Sequence, residues 1–222
     1  MSEQVKNEAF DYYQEVARSG FADMLHDTER NLKYSLALKE AIDTTKKSGK
    51  KANVLDIGTG TGLLAMLAAK HGADSVVTLE AFSPISQVAR DIIAKNGFQD
   101  KIKIVNKHST KVRVGVAGDM EQKANILVAE LLDTELIGEG AISAYNHAHA
   151  NLMEKDCICV PDSALIFVQA VECDLVDKWN TFQDSKMLKC PNEVSLVLTI
   201  QNLLLNHLTF VDRQVLRSSS DP

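Results

Sequence analysis

The chain has 222 residues, 45% of them hydrophobic and 24% charged, an ordinary balance for a globular protein with room for a sizeable core. Its 24 basic and 30 acidic residues leave a formal net charge of −6, which argues against a nucleic-acid binder working through a broad basic surface. No stretch approaches the roughly 18 apolar residues of a membrane span, and residues 1–20 are polar, without the apolar region of a signal peptide.

In chain order, residues 3–19 read as a helix with aromatic residues near its start. A second helix spans residues 28–47, capped by Asp27 and ended by the KKSGKK run. The rhythm then alternates. Strands are predicted at 53–57, 75–80, 101–106 and 124–129. Helices are predicted at 60–71, 83–96 and 142–154. Such alternation implies right-handed crossovers and a mainly parallel sheet, an α/β fold of the Rossmann-like type. From about Cys157 the pattern turns to β: strands at 156–160 and 164–172, with an apolar stretch at 194–211. The expected organisation is N-terminal helices over residues 1–50, an α/β domain over 51–160 and a β segment over 161–222, with Pro161 at the boundary.

The four cysteines, Cys157, Cys159, Cys173 and Cys190, include no CxxC pair. They predict reduced, buried or inert thiols, no zinc site, and residence in the cytoplasm or nucleus. His147 and His149 lie two apart on a predicted helix, do not share a face, and read as structural.

Residues 54–62 read VLDIGTGTG, a buried strand running into a turn with Gly58, Gly60 and Gly62. Glycine there permits positive φ and close approach of a ligand to the backbone. The spacing is GxGxG, not the GxGxxG of dinucleotide folds. Asp56 within it would repel a pyrophosphate but can accept a bond from an amino group or a ribose. Glu80, at the end of the next strand, is placed to hold ribose hydroxyls. Together they predict an adenosine-containing cofactor with a methionine-like tail rather than a nicotinamide.

The acceptor signal is the run AELLDTELIGEG at 129–140. Glu130 directly follows a strand, and Glu139 lies between Gly138 and Gly140. Two carboxylates there suit a planar guanidinium, which they can bind through parallel hydrogen bonds. Arginine keeps its proton in water, so the chemistry needs positioning more than a strong base. Asp133 and Glu135, in the same run, read as solvent-facing.

At this point the chain resembles the protein arginine methyltransferases from about Tyr12 to Glu172. The resembling stretches are ARSGFADMLHDTERN, VLDIGTGTGLLAMLA, KNGFQDKIKIVNKHST and ELLDTELIGEGAISAYNHAHANL. The resemblance implies S-adenosylmethionine as cofactor and basic, arginine-containing proteins such as histones or RNA-binding proteins as substrates. It implies no direct nucleic-acid or membrane partner. Arg30 would pair with the methionine carboxylate of the cofactor. Asp56, Gly58 and Gly60 would line its methionine and ribose, and Glu80 would hold the ribose. His108 and Ser109 would border adenine. Met24 would limit room near the target nitrogen, Glu130 and Glu139 would clamp the substrate guanidinium, and Tyr12 and Tyr13 would belong to a closing helix. The nearest subtype is the one that forms only monomethylarginine. Family members continue into a β-barrel that completes the substrate groove and carries a dimerisation arm. Residues 161–222 reach only its start, and Trp179 lies outside the family's histidine–tryptophan loop. A dimer or pseudo-dimer is therefore expected only of a full-length member. The alternative is a cofactor-binding or regulatory fragment without turnover.

Overall fold

The runs NVLDI and ANILVA lie at the centre of a sheet, and every residue in them is buried. A strand covered on both faces has no reason to alternate polar and apolar side chains, which is why these read as mostly apolar runs broken only by Asn53, Asp56 and Asn125. The computed structural model describes residues 21–133 and 136–165. Its elements are α1 (Phe21–His26), α2 (Thr28–Lys47), β1 (Asn53–Ile57), α3 (Leu63–Lys70), β2 (Ser75–Leu79), α4 (Ser83–Lys95), β3 (Ile102–Val105), β4 (Ala124–Ala129), α5 (Ala141–His147) and β5 (Met153–Val160).

The five strands pair in the order β3-β2-β1-β4-β5, all parallel. Successive side chains point to opposite faces. Val54, Val76, Ile126 and Val128 therefore join one core with Tyr34, Leu38, Ala41 and Ile42 of α2 and Leu64, Ala65 and Ala68 of α3. Leu55, Ile57, Leu79 and Leu127 join the other, under Ala144 of α5 with Ala148 and Leu152 beyond it. The chain divides into two compact units, residues 1–131 with 139–162, and residues 132–138 with 163–222. The first carries every element named above.

Helix α2 begins where the Asp27 carboxylate accepts a hydrogen bond from the Arg30 amide at 2.9 Å, satisfying a donor that the helix start leaves free. Its inward face is Tyr34, Leu38, Ala41, Ile42 and Thr45, the spacing of one helical stripe. Lys46 and Lys47 complement the dipole at its end. Through Tyr34, Leu38, Ala41 and Ile42, α2 shares one core with the sheet. Among the described residues no helix is long and apolar enough to cross a membrane.

Two elements differ from expectation. The short helix α1 precedes the Asp27 cap and has no buried residue, so it leaves no periodic apolar signal. The helix expected over 142–154 stops at His147, continues as a π-turn over Ala148–Leu152, and gives way to β5 at Met153. Leu152 and Met153 are both fully buried, and an apolar pair of that kind fits a helix face and a strand equally well. The elements expected at 3–19 and 194–211, and Tyr12, Tyr13 and Trp179, lie outside the described residues, as does all but the first part of the strand expected at 164–172.

Candidate functional site

The strand order places β1 between the strand that follows it and β4, so the chain reverses direction across the sheet at the β1–β4 boundary. Ligands of open α/β sheets sit beyond the carboxyl ends of strands at such a point. The register fixes what gathers there. Ile57 pairs with Leu79 on one side and Ala129 on the other. The next residues are Gly58, Glu80 and Glu130, so the glycine loop lies between the two predicted acidic residues.

The loop is built for close approach. Gly58, Gly60 and Gly62 have φ of 87°, 51° and 87°, a region that L side chains rarely enter. A side chain at Gly60 would meet the Phe21 ring at 3.0 Å, and one at Gly58 would meet Leu131 at 3.0 Å. Glu80 holds the loop in place. One carboxylate oxygen accepts from the Gly60 amide at 3.1 Å and the other from the Phe82 amide at 3.0 Å. Asn106 donates to the Glu80 carbonyl at 2.8 Å and ties the exit of β3 to the same point. Beyond it, His108 is exposed and caps a short 3-10 turn at Ser109–Lys111, in which Ser109 is buried.

Asp56 is fully buried at the end of β1. Its Oδ2 accepts from the Thr78 hydroxyl at 2.7 Å, and Thr78 is linked to the Thr59 hydroxyl at 2.6 Å. Its Oδ1 makes no well-formed hydrogen bond, although the nearby Ala65 amide favours the ionised carboxyl. Burial pushes the Asp56 carboxyl up to about 7; the Thr78 hydrogen bond opposes the shift and the Glu80 carboxylate adds to it. A buried acceptor without a well-formed hydrogen bond is costly, and such groups in native folds call for a partner or a function.

The acidic half of the site is already occupied by a guanidinium. Arg30, on α2, forms an ion pair with Glu130 at 2.9 Å, with side chains only 18% and 21% exposed. The Arg30 guanidinium lies 5.3 Å from the centre of the Tyr34 ring and donates to Asn31 Oδ1 at 2.8 Å. Met24 sits beside it, with its sulfur 3.8 Å from the same guanidinium. The Tyr34 hydroxyl donates to the Ala129 carbonyl at 3.4 Å. Burial, with Glu130 next in weight, pushes that phenol far above its ordinary range, so it stays a donor. Tyr145 of α5 is likewise pushed up by burial and by its neighbours Cys159 and Glu130.

Thus Met24, Arg30, Asp56, Gly58, Gly60, Glu80 and Glu130 cluster at the carboxyl edge of β1, β2 and β4, and His108 and Ser109 follow β3. Glu139 is exposed, one residue before Gly140, whose φ of 81° starts α5. In the preceding loop the Asp133 carboxylate accepts from the Gly138 amide at 3.1 Å, and a side chain at Gly138 would collide with that carboxylate. Sequence reading missed Phe21, Tyr34 and the Thr59–Thr78 pair. Tyr34 was within reach, one helical turn after Arg30 on the same face.

The arrangement fits a nucleoside with a charged tail: a loop a Cβ would fill, a carboxylate at the second strand end, and an under-bonded buried acceptor. The profile of the ribosomal protein L11 methyltransferase (PrmA) family matches residues 33–149, just over half of the chain and the part that builds this sheet. The chain belongs to the methyltransferase family that this profile describes. It is 53% identical over 175 residues to protein arginine N-methyltransferase 7 of Rattus norvegicus, covering 79% of this chain and 25% of that protein. The same enzyme of Danio rerio is 54% identical over 174 residues, covering 78% and 26%. The chain therefore spans about a quarter of the length of these relatives. Among solved structures, the Trypanosoma brucei PRMT1 enzyme–prozyme heterotetrameric complex with AdoHcy superposes with a TM-score of 0.63 at 27% identity, covering 76% of this chain and 52% of that one. Arabidopsis thaliana protein arginine methyltransferase 10 superposes at 0.62 with 21% identity, covering 72% and 43%, and shares the fold. S-adenosylmethionine is the cofactor of this family.

Proposed function

We propose that this chain is the donor-binding and guanidinium-recognising part of a protein arginine N-methyltransferase, and that the reaction it serves adds one methyl group to an arginine side-chain nitrogen. The observation that carries this reading is the Arg30–Glu130 pair: the carboxylate at the end of β4 binds a guanidinium, shielded from water, beside the glycine loop. When bound, the cofactor supplies an electrophilic methyl group on a sulfonium. Gly58 and Gly60 let it lie against the backbone, Glu80 and the under-bonded Asp56 oxygen offer acceptors for its hydroxyl and amino groups, and Arg30 offers a partner for its carboxylate. Recruiting Arg30 to that carboxylate frees Glu130 for a substrate guanidinium. Glu130 and Glu139 then hold one side of that plane and concentrate its positive charge there, leaving the opposite nitrogen electron-rich and aimed at the methyl group. The cofactor would supply the methyl group from its sulfonium, and Glu130, Glu139 or water would take the proton that the attacked nitrogen gives up.

Basic proteins such as histones or RNA-binding proteins, met in the cytoplasm or nucleus, are the proposed substrates; the net charge of −6 favours basic partners. Replacing Glu139 with Gln should abolish transfer to an arginine peptide, followed by mass spectrometry, while calorimetry finds S-adenosylhomocysteine binding unchanged. Full activity in that variant would sink the assignment. A second reading is favoured by the quarter-length match: a cofactor-binding fragment that turns over only with the remaining parts of its relatives. Robust methylation by the purified 222-residue chain rules it out.

A further inference from the structure

Early termination of α5 has a chemical consequence on the opposite face of β5 from α2. Cys157 and Cys159 are two residues apart on this strand, so their side chains share a face, the one that packs with Leu152 and Ala148. The π-turn over Ala148–Leu152 swings His149 back above them. Its Nδ1 lies 3.6 Å from the Cys157 sulfur and its Nε2 lies 3.6 Å from the Cys159 sulfur. One donor atom from each of the three side chains falls within 4.8 Å of the others.

Zinc bound tetrahedrally at about 2.3 Å from sulfur and about 2.0 Å from nitrogen holds those two atoms about 3.5 Å apart. Each sulfur now faces a different ring nitrogen at 3.6 Å, so a small turn of the imidazole would bring one nitrogen within ligand range of both. Two sulfurs and an imidazole are soft and borderline donors, which select zinc over magnesium or calcium. The imidazole now offers one nitrogen to each sulfur. His149 is exposed, so the ring is free to turn and commit one nitrogen to an ion between them. We propose that His149, Cys157 and Cys159 form a zinc site with a fourth position open to solvent. The ion would tie the turn after α5 to the edge of the described sheet, fixing the far end of the helix that starts beside Glu139. The inference does not rest on the methyl-transfer reading.

The test uses the whole 222-residue chain, reduced, stripped with a chelator and titrated with Co²⁺ as a spectroscopic probe, then with Zn²⁺. The expected result is one cobalt per chain, a sulfur-to-cobalt charge-transfer band with intense tetrahedral visible bands, and their loss on adding zinc. The band should vanish in the Cys157→Ser/Cys159→Ser variant. It should persist in Cys173→Ser/Cys190→Ser, which leaves the cluster intact. His149→Ala, at an exposed position that folding does not need, should weaken cobalt binding by roughly tenfold or more, since even outer-shell changes at metal sites cost that much. Zinc should also raise the melting temperature of the wild-type chain and not that of His149→Ala. No band from a chain that is folded by circular dichroism overturns the proposal. So does a band that survives Cys157→Ser/Cys159→Ser, or one unchanged by His149→Ala.

Discussion

Asp56 and Arg30 show how single residues in this site are held short of their final partners. Asp56 is completely buried, with one oxygen bonded to Thr78 and the other without a well-formed hydrogen bond. Its carboxyl is pushed from an ordinary 3.8 up to about 7, chiefly by burial. In the unfolded chain the group ionises near 3.8, so between the two values the folded state binds more protons than the unfolded state. Stability must then fall as pH rises from about 4 to about 7, by an amount on the order of 4 kcal/mol if nothing relaxes. Urea melts of the unliganded chain across that range should show the loss, and Asp56→Asn should flatten it. A profile unchanged by the substitution would mean that Asp56 is ionised and solvated in the fold. The Arg30–Glu130 pair is partly buried, and a double-mutant cycle with Arg30→Ala and Glu130→Gln should give a coupling of about 1 kcal/mol. Saturating S-adenosylhomocysteine should abolish that coupling if its carboxylate takes Arg30 away. Coupling that persists with ligand bound would leave Glu130 unavailable to a substrate.

At the scale of elements, α2 does two jobs that the sequence displays unequally. Its cap, length and apolar face are local signals, and the helix expected over 28–47 is the helix found. Strands β1, β2 and β4 were legible for a similar reason: they are short, mostly apolar runs, and their alternation with helices dictates parallel pairing. The glycine loop and the two strand-end glutamates could be read because motif and strand end coincide. What could not be read was contact between distant segments. Nothing in one sequence pairs Arg30 with Glu130, buries Asp56 beneath Thr59 and Thr78, or brings His149 over Cys157 and Cys159. The last failed for a definite reason: with the helix extended through residue 154, the histidine has no route to the strand. The cap offers a test of how α2 serves the site. Asp27→Ala removes the bond to the Arg30 amide and should cost about 1 kcal/mol of stability in a urea melt. Because that bond also anchors the first turn, on which Arg30 sits, S-adenosylhomocysteine affinity should fall in calorimetry by more than it does for Lys39→Ala, an exposed change farther along the same helix. Equal affinities in the two variants would separate the cap from the site.

For the molecule as a whole, the question is which part of the chain suffices to fold and bind. Both cores are built from residues between Tyr34 and Val160, and every described strand and helix lies in the unit that ends at Asp162. All the candidate site residues, from Met24 to Glu139, lie in that unit too. Both faces of the five-stranded sheet carry a core drawn from residues of this unit. A chain stopped after Asp162 should therefore unfold in one cooperative transition, with a midpoint within a few degrees of the 222-residue chain, and should bind S-adenosylhomocysteine with similar affinity. It should not methylate an arginine peptide faster than the longer chain does, because shortening adds nothing to the acceptor side of the site. Far-ultraviolet circular dichroism on heating and a calorimetric titration check the first two statements, and a peptide assay checks the third. A broad, non-cooperative transition would show that the sheet draws stability from the second unit. Cooperative unfolding without binding would assign part of the cofactor site to residues beyond Asp162, and the donor-binding role proposed for the strand-end cluster would then have to be shared with them.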